Sequence, residues 1–217
     1  MEDPRVTVVV MSRDRRDELL GSLPRHAAPV VLVDNGSTDG TAPEVRRRLP
    51  HVSVVELAAN HGALARDIGV EPARTPFVAF ADDDSWWEPG ALHEAAELLA
   101  AHPRTAVVAA RVLVGVPGLE DPMNSVLAGS PLRLAGAPGP RVLGFVACAA
   151  MVRRDAFLSV GGFDPLVRFP GEEEPVALRL AAAGWEVFTP TRSSSTITRH
   201  RPGPTQPRAP PTSRGPP

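Results

Sequence analysis

Short, continuous apolar runs alternate along this chain with stretches in which apolar residues recur at intervals of three and four. Residues 6–10, 30–33, 52–57 and 77–81 are valine-rich or aromatic and bounded by polar turns, as in strands buried on both faces. Between them, Leu19, Leu20 and Leu23 share one face of a predicted helix that stops at Pro24. Thr41-Ala42-Pro43-Glu44 has the spacing of a capping box, with proline in the first helical turn, and Arg46-Arg47-Arg48 suits the last turn of the same helix. A short helix is predicted over 62–69, and Leu92, Ala95, Leu98 and Leu99 mark the buried face of another. Further strands are expected over 106–114, 144–152 and 185–188, with helices ending near Val160 and spanning 171–183. This alternation predicts an α/β fold: a Rossmann-like, doubly wound, mainly parallel sheet with helices on both faces. Residues 115–141, rich in Gly and Pro, read as a long loop or insertion. From Arg201 the composition turns to Pro, Arg, Gly, Ser and Thr, so residues 1–200 are expected to form one domain and 201–217 a disordered tail.

The sharpest break in the pattern follows the fourth run, where Phe77-Val78-Ala79-Phe80-Ala81 meets Asp82-Asp83-Asp84. Three adjacent like charges repel, and a hard divalent cation such as magnesium or manganese would relieve them while sharing its coordination with substrate phosphates. In open α/β sheets, ligands gather beyond the carboxyl ends of the strands, where these aspartates fall. On this stretch alone, carboxylates that merely end the strand and cap the next helix are an equal reading. A second acidic group, Glu172-Glu173-Glu174, opens a predicted helix. It fits a solvated helix N-terminus, and also a base that takes a proton from an attacking hydroxyl.

Composition narrows the field. In 217 residues, 43% are hydrophobic and 22% charged, with a formal net charge of -2, which offers no electrostatic case for nucleic acid. Cys148 is the sole cysteine and lies in an apolar run, so an internal disulfide is excluded and a reducing compartment is expected. No apolar run approaches the roughly 20 residues of a membrane span. The first residues pass directly into a strand, which leaves no room for a signal peptide. The expected location is cytoplasmic, with peripheral contact at the inner face of the membrane left open.

Five stretches, in order, resemble family 2 glycosyltransferases, the inverting, nucleotide-sugar-dependent group of GT-A fold. They are Val33-Asp34-Asn35-Gly36-Ser37-Thr38-Asp39-Gly40-Thr41, Asn60-His61-Gly62 through Arg66, Asp82-Asp83-Asp84, Gly161-Gly162-Phe163-Asp164, and Gly171-Glu172-Glu173 with Leu178-Arg179-Leu180 and Ala183-Gly184-Trp185. The resemblance spans about residues 5–190 and implies a nucleotide-sugar-binding part over about 5–114 and an acceptor and catalytic-base part over about 115–200.

Position by position, the resemblance implies roles. Ser12, Asp34, Asn35 and His61 would lie near the nucleotide, with the Asn35 amide oxygen able to accept from the N3–H of uracil or thymine. Asp82 and Asp83 would help hold ribose and donor; Asp84, with Asp82, would ligate manganese or magnesium, and His200 is a candidate further ligand. Glu173, with Glu172 beside it, stands where the family carries its aspartate base, and Pro175 replaces a frequent further aspartate. The implied reaction moves a sugar from a nucleoside-diphosphate sugar to the hydroxyl of a carbohydrate, lipid-linked or small-molecule acceptor. A nucleotide-sugar-binding module without catalysis is the alternative. A nucleotidyltransferase is a weaker one, because Met11-Ser12-Arg13-Asp14-Arg15 lacks the glycines of a phosphate-binding loop. Trp86, Trp87 and Trp185 could stack on sugars but read first as core.

Overall fold

The valine runs become strands because β-branched side chains fit a pleated, two-sided sheet. A computed structural model describes residues 3–115, 118–167, 170–191 and 196–199; His200 and the expected disordered tail lie outside them. Strands β1 (Val6–Ser12), β2 (Val30–Asp34), β3 (Ser53–Glu56) and β4 (Phe77–Asp82) carry the four runs, interleaved with helices α1 (Arg16–Ser22), α2 (Thr41–Arg48) and α3 (Leu64–Val70). The chain continues through β5 (Ser85–Trp87), α4 (Ala91–Ala101), β6 (Thr105–Ala109), β7 (Arg111–Val114), β8 (Leu119–Glu120) and α5 (Pro122–Ala128). It closes with β9 (Ala150–Arg153), α6 (Arg154–Ser159), α7 (Glu173–Ala182), β10 (Glu186–Phe188) and β11 (Thr196–Arg199).

The main sheet has the order β10-β6-β9-β4-β1-β2-β3 and is parallel except at β9, which runs antiparallel to both β4 and β6. Side chains alternate between its faces. Val6, Val8 and Val10 join Leu19, Val45, Leu92 and Leu99 in one core, beneath α1, α2 and α4. Val9, Val78 and Phe80 face the other core, with Val70, Phe157, Phe163, Val176 and Leu180, beneath α3, α6 and α7. Phe80, Phe157 and Phe163 form a triangle with ring centroids 5.5 to 5.9 Å apart. The doubly wound α/β arrangement expected from the pattern is present. Among the described residues, no helix is long and apolar enough to cross a membrane.

Several local expectations are corrected. The apolar run 106–114 is not one strand. It breaks at Ala110, whose N–H donates to Ala149 O at 2.7 Å, so β6 stays in the main sheet. β7 leaves for a second sheet of order β5-β11-β7-β8. The run 144–152 pairs as a strand only in β9, after a 3-10 turn at Ala147–Ala149; its earlier residues are apolar because they are buried in a turn. Within the expected loop 115–141 lies α5, started by Pro122 and capped by the Asp121 carboxylate, which accepts Met123 N–H at 2.9 Å. The capping box at Thr41 does not form. Gly40, at φ +80°, takes the N-cap position, Thr41 donates its hydroxyl to Asp39 at 2.6 Å, and Glu44 pairs with Arg47 and Arg48.

One contact ties α3 to the Gly161-Gly162-Phe163-Asp164 turn. Both oxygens of Asp67 accept Phe163 N–H, at 3.2 and 3.0 Å. Gly162 has φ +60°, and a Cβ there would fall 2.5 Å from Asp67 Oδ2, so glycine is needed on both counts. Burial pushes the Asp67 carboxyl up to about 7, against the opposing pull of the Phe163 N–H. A carboxyl whose folded pKa is raised contributes stability that is intact below the unfolded value and is lost as pH rises through the folded one. Relative to Asp67→Asn, the native chain should therefore lose stability between about pH 4 and about pH 7. Denaturant unfolding of both proteins across that range measures this; a constant difference between them would refute it.

Candidate active site

Parallel pairing aligns the carboxyl ends of three strands. Ser12 is opposite Asp34, and Met11 is opposite Asp82, so β1, β2 and β4 deliver their terminal polar residues to one edge of the sheet. This register brings together three of the expected site residues that lie far apart in the chain, Ser12, Asp34 and Asp82, with Asp83 following the last.

After β2 the chain turns tightly. The Asp34 carboxylate accepts Ser37 N–H at 3.0 Å, and Gly36 has φ +76°, with a Cβ position only 2.7 Å from the carbonyl carbon of Ala59. Asn35 is buried and clasps the 60–62 loop. Its amide nitrogen donates to Asn60 Oδ1 at 3.0 Å and Gly62 O at 3.2 Å, and its oxygen accepts His61 N–H at 2.8 Å. The oxygen expected to face a nucleotide base thus already holds the loop. The His61 side chain is exposed.

Asp82 ends β4, and Asp83 and Asp84 form a short turn to β5, closed by Asp82 N–H donating to Ser85 Oγ at 2.9 Å. Ser12 Oγ donates to Asp83 Oδ2 at 2.9 Å, and the Arg15 guanidinium stands 3.7 Å from Asp83 Oδ1. Burial nevertheless lifts the Asp83 carboxyl to about 6. Asp84 is also shifted upward, by burial first and by the charge of Asp82 second. Such mutual repulsion makes the turn receptive to positive charge.

Arg66 joins this turn to the second acidic cluster. It projects from α3 and is 4% exposed. Its guanidinium donates to Asp82 Oδ1 at 2.7 Å and lies 3.5 Å from Glu172 Oε1, which is itself 1% exposed. Burial opposes the charged form of Arg66, but the charge of Asp82 and its hydrogen bond outweigh it and hold the group above its usual range. Arg66 Nε and Glu172 Oε2 are buried without a hydrogen-bond partner. Glu172 is the N-cap residue of α7, and Glu173 follows. Glu173 Oε1 accepts Ala147 N–H at 3.0 Å, and burial raises its carboxyl above the ordinary glutamate range. Beside Glu173 and Glu174 opens a cavity of about 340 Å³, walled by α5 and residues 142–145.

Among the described residues, no three His, Cys, Asp or Glu side chains converge as a closed metal site. The Asp82 and Asp84 carboxylates are of the type a hard cation takes when it uses one or two protein carboxylates and completes its shell with phosphate oxygens, so the residues present would fit one. The candidate ligand His200 lies outside the described residues. Of the tryptophans, Trp87 is core, donating its indole N–H to Phe80 O at 3.0 Å; Trp86 lies under the Arg25 guanidinium, 4.0 Å from the ring centroid; Trp185 packs partly buried against the core. Cys148 is buried, and burial raises its thiol well above the usual range.

Two charged residues at the site were not singled out from the sequence, Arg66 and Arg15. Arg66 had a signal: it lies among Ala63, Ala65, Gly69 and Val70 on the apolar face of a short helix, where a lone charge calls for a buried partner. Arg15 sits in a run of surface arginines and aspartates and had none.

Comparison with known proteins accords with this geometry. The model of the family described as "Glycosyl transferase family 2" matches residues 17–161. An N-acetylglucosaminyl-diphospho-decaprenol L-rhamnosyltransferase from Mycobacterium tuberculosis is 28% identical over 204 residues, covering 75% of this chain and 64% of that protein. A mannosyltransferase from Pyrobaculum calidifontis, solved in complex with GDP-Man and Mn2+, superposes with a TM-score of 0.69 at 25% identity, covering 90% of this chain and 56% of its own. TarS 1-349 from S. aureus, in complex with UDP-GlcNAc, superposes at a TM-score of 0.67 and 19% identity, covering 93% of this chain and 60% of its own. The chain therefore spans less than two thirds of the length of these relatives. The expected GT-A architecture is the one it shares with them, and, with a family model matching well over half its length, the chain belongs to glycosyl transferase family 2.

Proposed function

We propose that this protein is an inverting glycosyltransferase, moving a sugar from a nucleoside-diphosphate sugar to an acceptor hydroxyl, with Glu173 as base. The observation that carries this reading is the chain of contacts from Asp82 through Arg66 to Glu172. It sets a donor-side acidic turn and an acceptor-side carboxylate against each other across one sheet edge. The relatives point the same way: one was solved with GDP-Man and Mn2+, and another is named for an acceptor linked to a diphospho-decaprenol lipid.

Asp84 and Asp82 would hold a divalent cation, which supplies charge neutralisation for the departing diphosphate. Ser12 and Arg15 fix the Asp83 carboxylate at the floor of the donor side. The acceptor oxygen attacks the anomeric carbon from the face opposite the leaving group. The bond from that carbon to the phosphate oxygen breaks, its electron pair departs with the nucleoside diphosphate, and the acceptor proton passes to the Glu173 carboxylate. One displacement inverts the configuration. Ala147 N–H anchors Oε1 of Glu173, so Oε2 is the oxygen that takes the proton. A base whose pKa has been raised by burial is a better match for proton transfer near neutral pH.

Five outcomes are expected. Release of nucleoside diphosphate from a panel of nucleotide sugars should need a divalent cation, be abolished by a chelator, and be lost in Asp84→Ala. Transfer by Glu173→Gln should fall about 100- to 10,000-fold in kcat, the range for losing a general base. Because the base must be unprotonated, the acid limb of the native kcat/KM profile should fall at a pH above that of an exposed glutamate; a limb at ordinary glutamate pH, or a fully active Glu173→Gln, refutes the assignment. Arg66→Met should cost about 3–5 kcal/mol of stability by leaving buried Glu172 uncompensated. Arg66→Lys should recover much of that stability but not the rate, since a point charge cannot bridge two carboxylates as a planar guanidinium does. Denaturant midpoints and kcat on the two variants separate these effects.

A further inference from the structure

We propose that the cavity beside Glu173 binds an uncharged aliphatic group of the acceptor, next to the hydroxyl that is glycosylated. This rests on the transferase reading above, and names the kind of acceptor that the site takes.

The walls are the first argument. Met123, Val126 and Leu127 from α5 face Val142, Leu143 and Phe145 across the cavity. Leu127, Val142 and Phe145 are buried, whereas Met123, Val126 and Leu143 are 40%, 65% and 46% exposed. The cavity thus has a dry floor and a rim of apolar side chains left in water, which an apolar ligand would cover. Five of the six are aliphatic, so the surface suits a flexible aliphatic chain better than a stacked ring.

Rigidity is the second. Asn124 of α5 pairs with both backbone groups of Val112, donating to its carbonyl at 2.7 Å and accepting its N–H at 2.9 Å. Ser130 Oγ donates to Arg141 O at 2.5 Å, closing the segment that leads to the opposite wall. The wall is preformed rather than assembled around a ligand.

Charge is the third. Among the described residues, the lining holds two carboxylates, Glu173 and Glu174, and no cation. A phosphate in this space would meet two like charges with no guanidinium to offset them, and would favour the protonated, inactive form of Glu173. An acceptor that carries phosphate must therefore place it outside the cavity.

The test is calorimetric titration of the full chain with n-octyl β-D-glucopyranoside below its micelle concentration, alongside D-glucose and octyl phosphate. Octyl glucoside should bind saturably, with glucose and octyl phosphate each at least about ten-fold weaker, the loss expected from a few unburied methylenes for the one and from a phosphate held next to Glu173 and Glu174 for the other. Val126→Asp and Leu143→Asp, both at exposed rim positions, should each weaken octyl glucoside by about ten-fold with unchanged thermal midpoints. Absence of saturable octyl glucoside binding, glucose or octyl phosphate binding as tightly, or native affinity in both rim variants would overturn the proposal. Metal-dependent diphosphate release measured without octyl glucoside reads the transferase function separately. Release without octyl glucoside binding removes only the cavity proposal. Binding without release on any donor leaves an aliphatic-ligand site and removes the transferase.

Discussion

A guanidinium taken out of water is tolerable only beside anions, and Arg66 is placed where two can reach it. With Asp82 on one side and Glu172 on the other, the buried cation holds the end of β4 and the start of α7 at a fixed separation. Nothing else among the described contacts spans those two acidic turns so directly. The cost of burying the charge makes the arrangement a poor source of stability. What it supplies is position: both carboxylates are directed by the same group.

The remainder of the fold serves that placement. Parallel strands β1, β2 and β4 end in register, so their terminal Ser12, Asp34 and Asp82 arrive at one edge. Asn35 then pins the 60–62 loop, which leads into α3 and so sets where Arg66 emerges. Asp67, the next residue, grips the turn at Phe163. One seven-residue helix therefore connects the 60–62 loop, the aspartate turn and the turn at Phe163. The antiparallel strand β9 and the 3-10 turn before it bring Ala147 N–H to Glu173. An irregular stretch of apolar chain thus orients the proposed base.

Much of this was legible in the residues. Valine-rich runs ending in polar clusters located β1 to β4 within a residue or two, and the aspartate turn was visible as a charge conflict at a strand end. Legibility failed where one local pattern serves two environments. The run 106–114 is apolar except at Arg111, yet its two halves belong to different sheets; periodicity cannot register a change of partner at Ala110. The helix α5 was hidden by surrounding Gly and Pro, although Asp121-Pro122 is a helix start. The pairing of Arg66 with Glu172 was not legible, because the two residues lie in separate segments and local pattern does not show which charges meet.

The sequence by itself determined the alternating α/β plan, the side of the sheet on which chemistry gathers, and the acidic residues available there, since these depend on local periodicity and on where polar turns interrupt apolar runs. Only the tertiary structure decided which of those acids face one another, that Asn35 holds a loop, and that the space beside Glu173 is apolar. Those properties arise from contacts between segments far apart in the chain, such as Arg66 with Glu172. In such contacts desolvation and pairing, rather than local propensity, set what each side chain can do.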